Sequence, residues 1–110
     1  MKYKLHFSRI IATLLFLAVS TFSWAYNTIV DGIYYNYSSS FSTASVTYAT
    51  SSYNSYSGSI TIPSKVKIGS KTYDVIKIEA HAFRASSGLT SVTIPNSVQT
   101  IGENAFYGCI

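Results

Sequence analysis

Ile78, Ala82 and Phe83 return as Ile101, Ala105 and Phe106, each displaced by 23 residues. A fixed period of this length means that one supersecondary unit has been copied and stacked, because no single copy can bury its own apolar face. The unit is written most fully from Leu89 to Ile110, LTSVTIPNSVQTIGENAFYGCI. Side chains alternate along a strand, so Val92 and Ile94 point to one side of a short strand while Thr90, Ser91 and Thr93 face away from it. One face packs against the next layer and the other is free to bind.

A period of about 20 to 29 residues with a Leu-x-x-Leu-x-Leu core, here Leu89, Val92 and Ile94, is the signature of a leucine-rich solenoid. The order Ile94-Pro95-Asn96-Ser97-Val98, then Ile101-Gly102, then Ala105-Phe106-x-Gly108-Cys109 resembles the repeats of the BspA-like bacterial surface proteins. The resemblance covers about residues 58–110. A weaker one reaches Asp31-Gly32-Ile33-Tyr34-Tyr35, which is similar to the family's N-terminal cap. It implies a β-rich leucine-rich-repeat solenoid of the α/β horseshoe-like class with little helix: a β-hairpin cap, then one complete and two partial repeats. It also implies adhesion to extracellular proteins or to other cells, with affinity gathered over many repeats.

Lys2, Lys4 and Arg9 precede the ten-residue apolar block Ile10 to Val19, and Ser23-Trp24-Ala25 supplies a small-residue cleavage pattern. This arrangement predicts a secretory signal peptide over residues 1–25. The block is too short for a membrane span, which needs about 17 to 25 residues, so no span is expected after cleavage and the product is secreted or held at the cell surface. Removing the segment leaves Lys65, Lys67, Lys71, Lys77 and Arg84 against Asp31, Asp74, Glu79 and Glu103, a net charge of +1 instead of +4. That balance argues against nucleic-acid binding, which draws most of its affinity from phosphate neutralisation.

Residues 26–57 are rich in tyrosine and serine and are expected to form the cap. Asp31-Gly32 is a two-residue hairpin signal that pairs Val30 with Ile33 and Ile29 with Tyr34. Ala44, Val46 and Tyr48 alternate with Ser45 and Thr47 and predict a third strand. Two roles are open to the tyrosines. They can close the uncovered end of a repeat stack, the preferred reading, or they can offer rings to sugars, for which Tyr35 and Tyr56 are the candidates. Asn36-Tyr37-Ser38 matches a glycosylation acceptor, a short motif that also arises by chance.

Residues 58–110 carry the repeats. Ile60-Thr61-Ile62-Pro63 aligns with Val92-Thr93-Ile94-Pro95 at a separation of 32, nine more than the period. The nine extra residues lie near 67–75 and include Gly69-Ser70, a second hairpin turn that sets Val66 opposite Tyr73 and Lys65 opposite Asp74. Pro63 and Pro95 end their strands, since proline has no amide donor for a ladder. Phe83 and Phe106 should stack. The first unit departs from the family's pattern in having Glu79 for glycine and Ser86 for cysteine, as expected if its turn is adapted to the cap.

Cys109 is the only cysteine; a lone thiol in an exported chain can form an intermolecular disulfide or act as a nucleophile, but the resemblance places it in a buried column of small residues, as a compact hydrophobe, and this is the preferred reading. His81 is expected at the surface, and with Cys109 it lacks zinc-ligand spacing. No cofactor or metal is expected. No nucleophile elbow, phosphate loop or His-Glu-x-x-His motif is present, so no catalytic residue is proposed and the chain is read as not an enzyme.

The next core leucine would fall at position 112, so the chain is expected to be the N-terminal part of a longer, truncated protein. The expected binding face comprises Ser59, Thr61, Thr90, Ser91 and Thr93, and the expected partner is an extracellular protein or other cell-surface ligand. A carbohydrate-binding module built on the tyrosines and a cap or spacer for a downstream domain are the alternatives.

Overall fold

The computed structural model describes residues 25–110; the segment read as a signal peptide lies outside them, apart from Ala25. Among the described residues eight strands form: β1 (Thr28–Val30), β2 (Ile33–Ser38), β3 (Thr43–Thr47), β4 (Gly58–Thr61), β5 (Lys65–Ile68), β6 (Lys71–Ile78), β7 (Leu89–Thr93) and β8 (Thr100–Ile101). Among the described residues there is no helix; the segments between strands are turns and loops.

Both hairpins form where turn chemistry places them. Asp31 (φ 50°) and Gly32 (φ 80°) are both left-handed, as a type I′ turn requires, and Val30 faces Ile33 while Ile29 faces Tyr34. At the second turn Gly69 has φ 66°, and Val66 faces Tyr73. Lys65 Nζ lies 2.5 Å from an Asp74 carboxylate oxygen on the exposed side of this pair. A solvated ion pair adds at most about 1 kcal/mol, so the apolar pair on the buried side governs the register.

The larger sheet runs β1-β2-β3-β6-β5, with β8 adding to β6 beyond the end of β5. Its central join is the parallel pairing of β3 with β6, which aligns Val46 with Ile78 across a register shift at Ala44/Ser45. Ile78 in turn aligns with Ile101 of β8. The cap and the inserted hairpin therefore belong to one sheet, a junction that the sequence pattern does not signal. Tyr48 falls just outside the predicted third strand, which ends at Thr47. The second sheet is the parallel pair β4–β7, with Ile60 beside Val92 and Thr61 beside Thr93, the expected separation of 32.

Between the sheets Tyr35, Val46, Ile62, Val75, Ile78 and Phe83 are each 2 % exposed or less. Phe83 and Phe106 lie parallel, centroids 5.1 Å apart with 3° between planes. Backbone conformation repeats with the sequence: His81 and Asn104 are left-handed (φ 65° and 57°), as are Ala85 and Gly108 (φ 57° and 79°). The two turns are joined by bonds from the amides of His81, Phe83 and Ala85 to the carbonyls of Glu103, Ala105 and Tyr107 at 2.7–3.1 Å.

The cap imitates a repeat. The Gly102 amide donates to Ile78 O at 2.7 Å, and one layer earlier the Glu79 amide donates to Val46 O at 2.9 Å, so β3 stands where a preceding repeat would stand. Likewise Asn54 and Gly58 donate to Arg84 O and Gly88 O, both at 2.9 Å, so residues 54–58 act as the missing turn. Tyr56 lies on Phe83 with centroids 4.5 Å apart, ending the Phe83–Phe106 column.

Candidate interaction surface

The parallel pairing of β4 and β7 assembles the polar residues of both strands into one patch. Ile60 and Val92 turn toward the core, while Ser59, Thr61, Thr90, Ser91 and Thr93 are all exposed. The Ser59 and Ser91 hydroxyls meet at 2.8 Å, and Thr61 and Thr93 lie side by side. The register shift between Gly58 and Ser59 leaves Thr90 as the extra residue of β7, between the partners of those two glycine and serine positions. The patch is a short ladder of hydroxyls, able to donate and accept hydrogen bonds and uncharged throughout.

The tyrosines proposed as a sugar platform are interior instead. Tyr35 is 1 % exposed and Tyr56 4 %. The Tyr56 ring is covered by Phe83 and by the edge of Tyr34, centroids 5.5 Å apart, which leaves no open face on which a sugar could stack. Its hydroxyl accepts the Tyr34 amide at 3.0 Å and donates to Thr47 O at 2.6 Å, spanning the end of the β2–β3 ladder. Burial pushes the Tyr56 phenol well above its ordinary pKa, against the opposing effect of the bond from the Tyr34 amide. Burial, aided by Asp31, does the same to Tyr35.

The departures from the repeat pattern face the cap. Glu79, standing where the next unit has Gly102, accepts from Asn36 Nδ2 at 3.1 Å and from the Ser45 hydroxyl. Asn36 Nδ2 also donates to Ala25 O at 3.1 Å, so the side chain of the glycosylation motif is committed to internal bonds. Ser86, in place of cysteine, is fully buried and its Oγ accepts the Tyr56 amide at 3.3 Å. Cys109, one repeat on, is half-buried and its thiol donates to Phe83 O at 2.9 Å.

One surface cluster is absent from the sequence reading. Arg84 lies over the Tyr53 ring at 4.8 Å and over Tyr107 at 5.3 Å, and Tyr53 also packs on Tyr48 and His81. His81 is thus half-buried beside Arg84, not simply exposed. The available signal was the repeat itself, since Arg84 and Tyr107 occupy the same position in successive units and so must be neighbours. No group of three or more metal-ligating side chains occurs among the described residues.

Stacked parallel strands, a 23-residue turn unit with recurring backbone conformation and an apolar column shared between layers define a leucine-rich-repeat solenoid. The chain belongs to the BspA-type leucine-rich-repeat family: the model described as BspA type leucine rich repeat region (6 copies) matches residues 52–110. Solved structures agree. A leucine-rich repeat protein from Bacteroides ovatus is 30% identical over 76% of this chain, with a TM-score of 0.65. A leucine rich cell surface protein from Faecalibacterium prausnitzii is 34% identical over 74%, TM-score 0.61, and a leucine-rich repeat protein from Bacteroides capillosus is 28% identical over 74%, TM-score 0.60. The chain spans 21% of the length of each of the first two and 58% of the third. No curated protein matches it.

Proposed function

We propose that the chain is part of a secreted or cell-surface interaction module whose β4–β7 face contacts an extracellular protein in adhesion. The observation that carries this reading is the alignment of Ser59 with Ser91 and of Thr61 with Thr93 on an exposed pair of parallel strands. Small hydroxyl side chains let a partner's backbone approach closely, and each further repeat would add another row. Hot spots draw on tyrosine, tryptophan and arginine, none of which lies in these rows, so affinity on this face rests on repeated modest contacts. The charged N-terminal segment with its apolar block supports export, and the Faecalibacterium relative, titled a cell surface protein, supports the same location. The Tyr56 and Tyr35 rings serve the cap on this reading, not a glycan.

The test is adhesion of beads coated with the full chain to cultured cells, for the natural sequence and for a Ser91→Arg, Thr93→Arg variant whose circular dichroism is unchanged. Adhesion should fall by about tenfold or more in the variant, equivalent to about 1.4 kcal/mol. Equal adhesion by both would refute the assignment of this face.

A further inference from the structure

The larger sheet curls until its outer strands face each other. β1 and β5 are its two edges, and residues of both line one cavity of about 510 Å³. The hairpins determine which backbone groups lie along the gap. In a two-residue hairpin the pair flanking the turn exchanges both bonds, and the next residue along each strand turns its N–H and C=O outward. Here the flanking pairs are Val30–Ile33 and Ile68–Lys71, so the outward residues are Ile29 on β1 and Lys67 on β5. Among the described residues neither has a backbone partner beyond its hairpin. The lining is mixed: Ile33, Tyr35 and Val66 are buried and apolar, while Thr28, Asp31, Thr61, Lys65 and Lys67 add polar and charged groups.

The two walls differ in direction. β1 runs parallel to β3 and β6, and β5 runs against β6, so a strand entering the gap is antiparallel to one wall and parallel to the other. The walls are three and four residues long, which suits a short extended segment. Charge selects its chemistry. β5 carries Lys65, which is paired with Asp74, and Lys67, which has no carboxylate partner among the described residues. A second copy offering its own β5 would set lysine against lysine, an arrangement that discourages edge pairing.

We propose that the β1–β5 gap is a strand-accepting groove for an extended peptide that alternates apolar and acidic residues, apolar side chains entering the cavity and a carboxylate meeting Lys67. This is binding by strand addition, in which backbone bonds give affinity and alternate side chains give specificity. It is distinct from the Ser59–Ser91 row of the β4–β7 face, although Thr61 of that face also lines the cavity.

The test is fluorescence anisotropy of the full chain with a labelled Val-Glu-Val-Glu-Val-Glu peptide and a Val-Lys counterpart. The acidic peptide should bind saturably and the basic one at least about tenfold more weakly. Ile29→Pro, which removes an amide that β2 does not use, should weaken acidic-peptide binding by a similar factor, and Lys67→Glu should invert the preference. Ser91→Arg should change neither, which separates failure of this groove from failure of the polar face. No saturable binding by the folded natural chain, or equal binding of the two peptides, would overturn the proposal, as would self-association abolished by Ile29→Pro. Should Ile29→Pro fail to fold, the Lys67→Glu inversion decides.

Discussion

Tyr56 sits on Phe83, ring centroids 4.5 Å apart, and is the first member of a column that continues through Phe106. It gives the phenylalanine stack an end without leaving a polar group buried alone, because its hydroxyl both accepts from the Tyr34 amide and donates to Thr47 O. The solenoid is thereby closed at this end by an aromatic residue from the cap, in the place where a preceding repeat would put a phenylalanine.

Tyr56→Phe should keep the ring column and lose only the hydroxyl. The Tyr34 amide and the Thr47 carbonyl would then lack a partner, at about 1–3 kcal/mol for each buried group left unsatisfied. A urea melt should show a lower midpoint with an unchanged slope.

Alkali should destabilise the protein through the same residue and through Tyr35, whose phenol is likewise raised by burial. The Tyr56 phenol is raised above its ordinary value by burial, so the folded state keeps its proton at a pH where the unfolded chain has released it. This contribution to stability is complete below pH of about 10 and declines above it, by about 1.4 kcal/mol per pH unit for one such phenol. Stability measured across the alkaline range should fall from about pH 10, and Tyr56→Phe should flatten the fall; a natural chain with no alkaline loss would contradict the assignment.

Gly102 should tolerate no side chain, although its backbone is not left-handed. A Cβ there would lie 2.3 Å from the Ala80 amide nitrogen, against backbone that cannot swing aside. Gly102→Ala is expected to destabilise by about 3 kcal/mol or more, beyond the usual range of overpacking. Gly32→Ala, at φ 80° with nothing within 4 Å, should lose only about 1 kcal/mol. Thermal melts of the two variants compare them directly.

Glu79 should hold the cap to the first repeat. Glu79→Ala leaves the Asn36 amide and the Ser45 hydroxyl without their shared acceptor and should destabilise by about 1–3 kcal/mol. Glu79→Gln, which keeps an acceptor oxygen, should lose less. A double-mutant cycle with Asn36→Ala should reveal coupling, and strict additivity would contradict the contact's role.

What was legible in the sequence was local or repeated. Asp31-Gly32 and Gly69-Ser70 carry their turn geometry in two residues each, and the pairing of Ile60 with Val92 follows from copying. The β3–β6 junction joins segments some thirty residues apart through parallel bonds that depend on no particular side chain, so no local pattern announces it. Tyr35 and Tyr56 illustrate a different limit. Alternation tells which side of a strand a tyrosine takes, but only the later layers decide whether that side is covered. Glu79 and Ser86 stood out as departures from the repeat, yet their partners Asn36, Ser45 and Tyr56 belong to the cap, where the repeat offers no template. Gly102 serves close approach to the preceding layer, which no local pattern in the sequence announces.

Native-state hydrogen exchange of the Glu79 and Gly102 amides tests most directly whether the cap acts as a repeat. Glu79 bonds to Val46 in the cap and Gly102 to Ile78 in the first repeat. If the cap is the first layer of one stack, both amides should open with a common free energy, and Tyr56→Ala should lower both by the same amount. Loss of protection at Glu79 with Gly102 unchanged would show that the repeats stand without the cap, and would contradict the account.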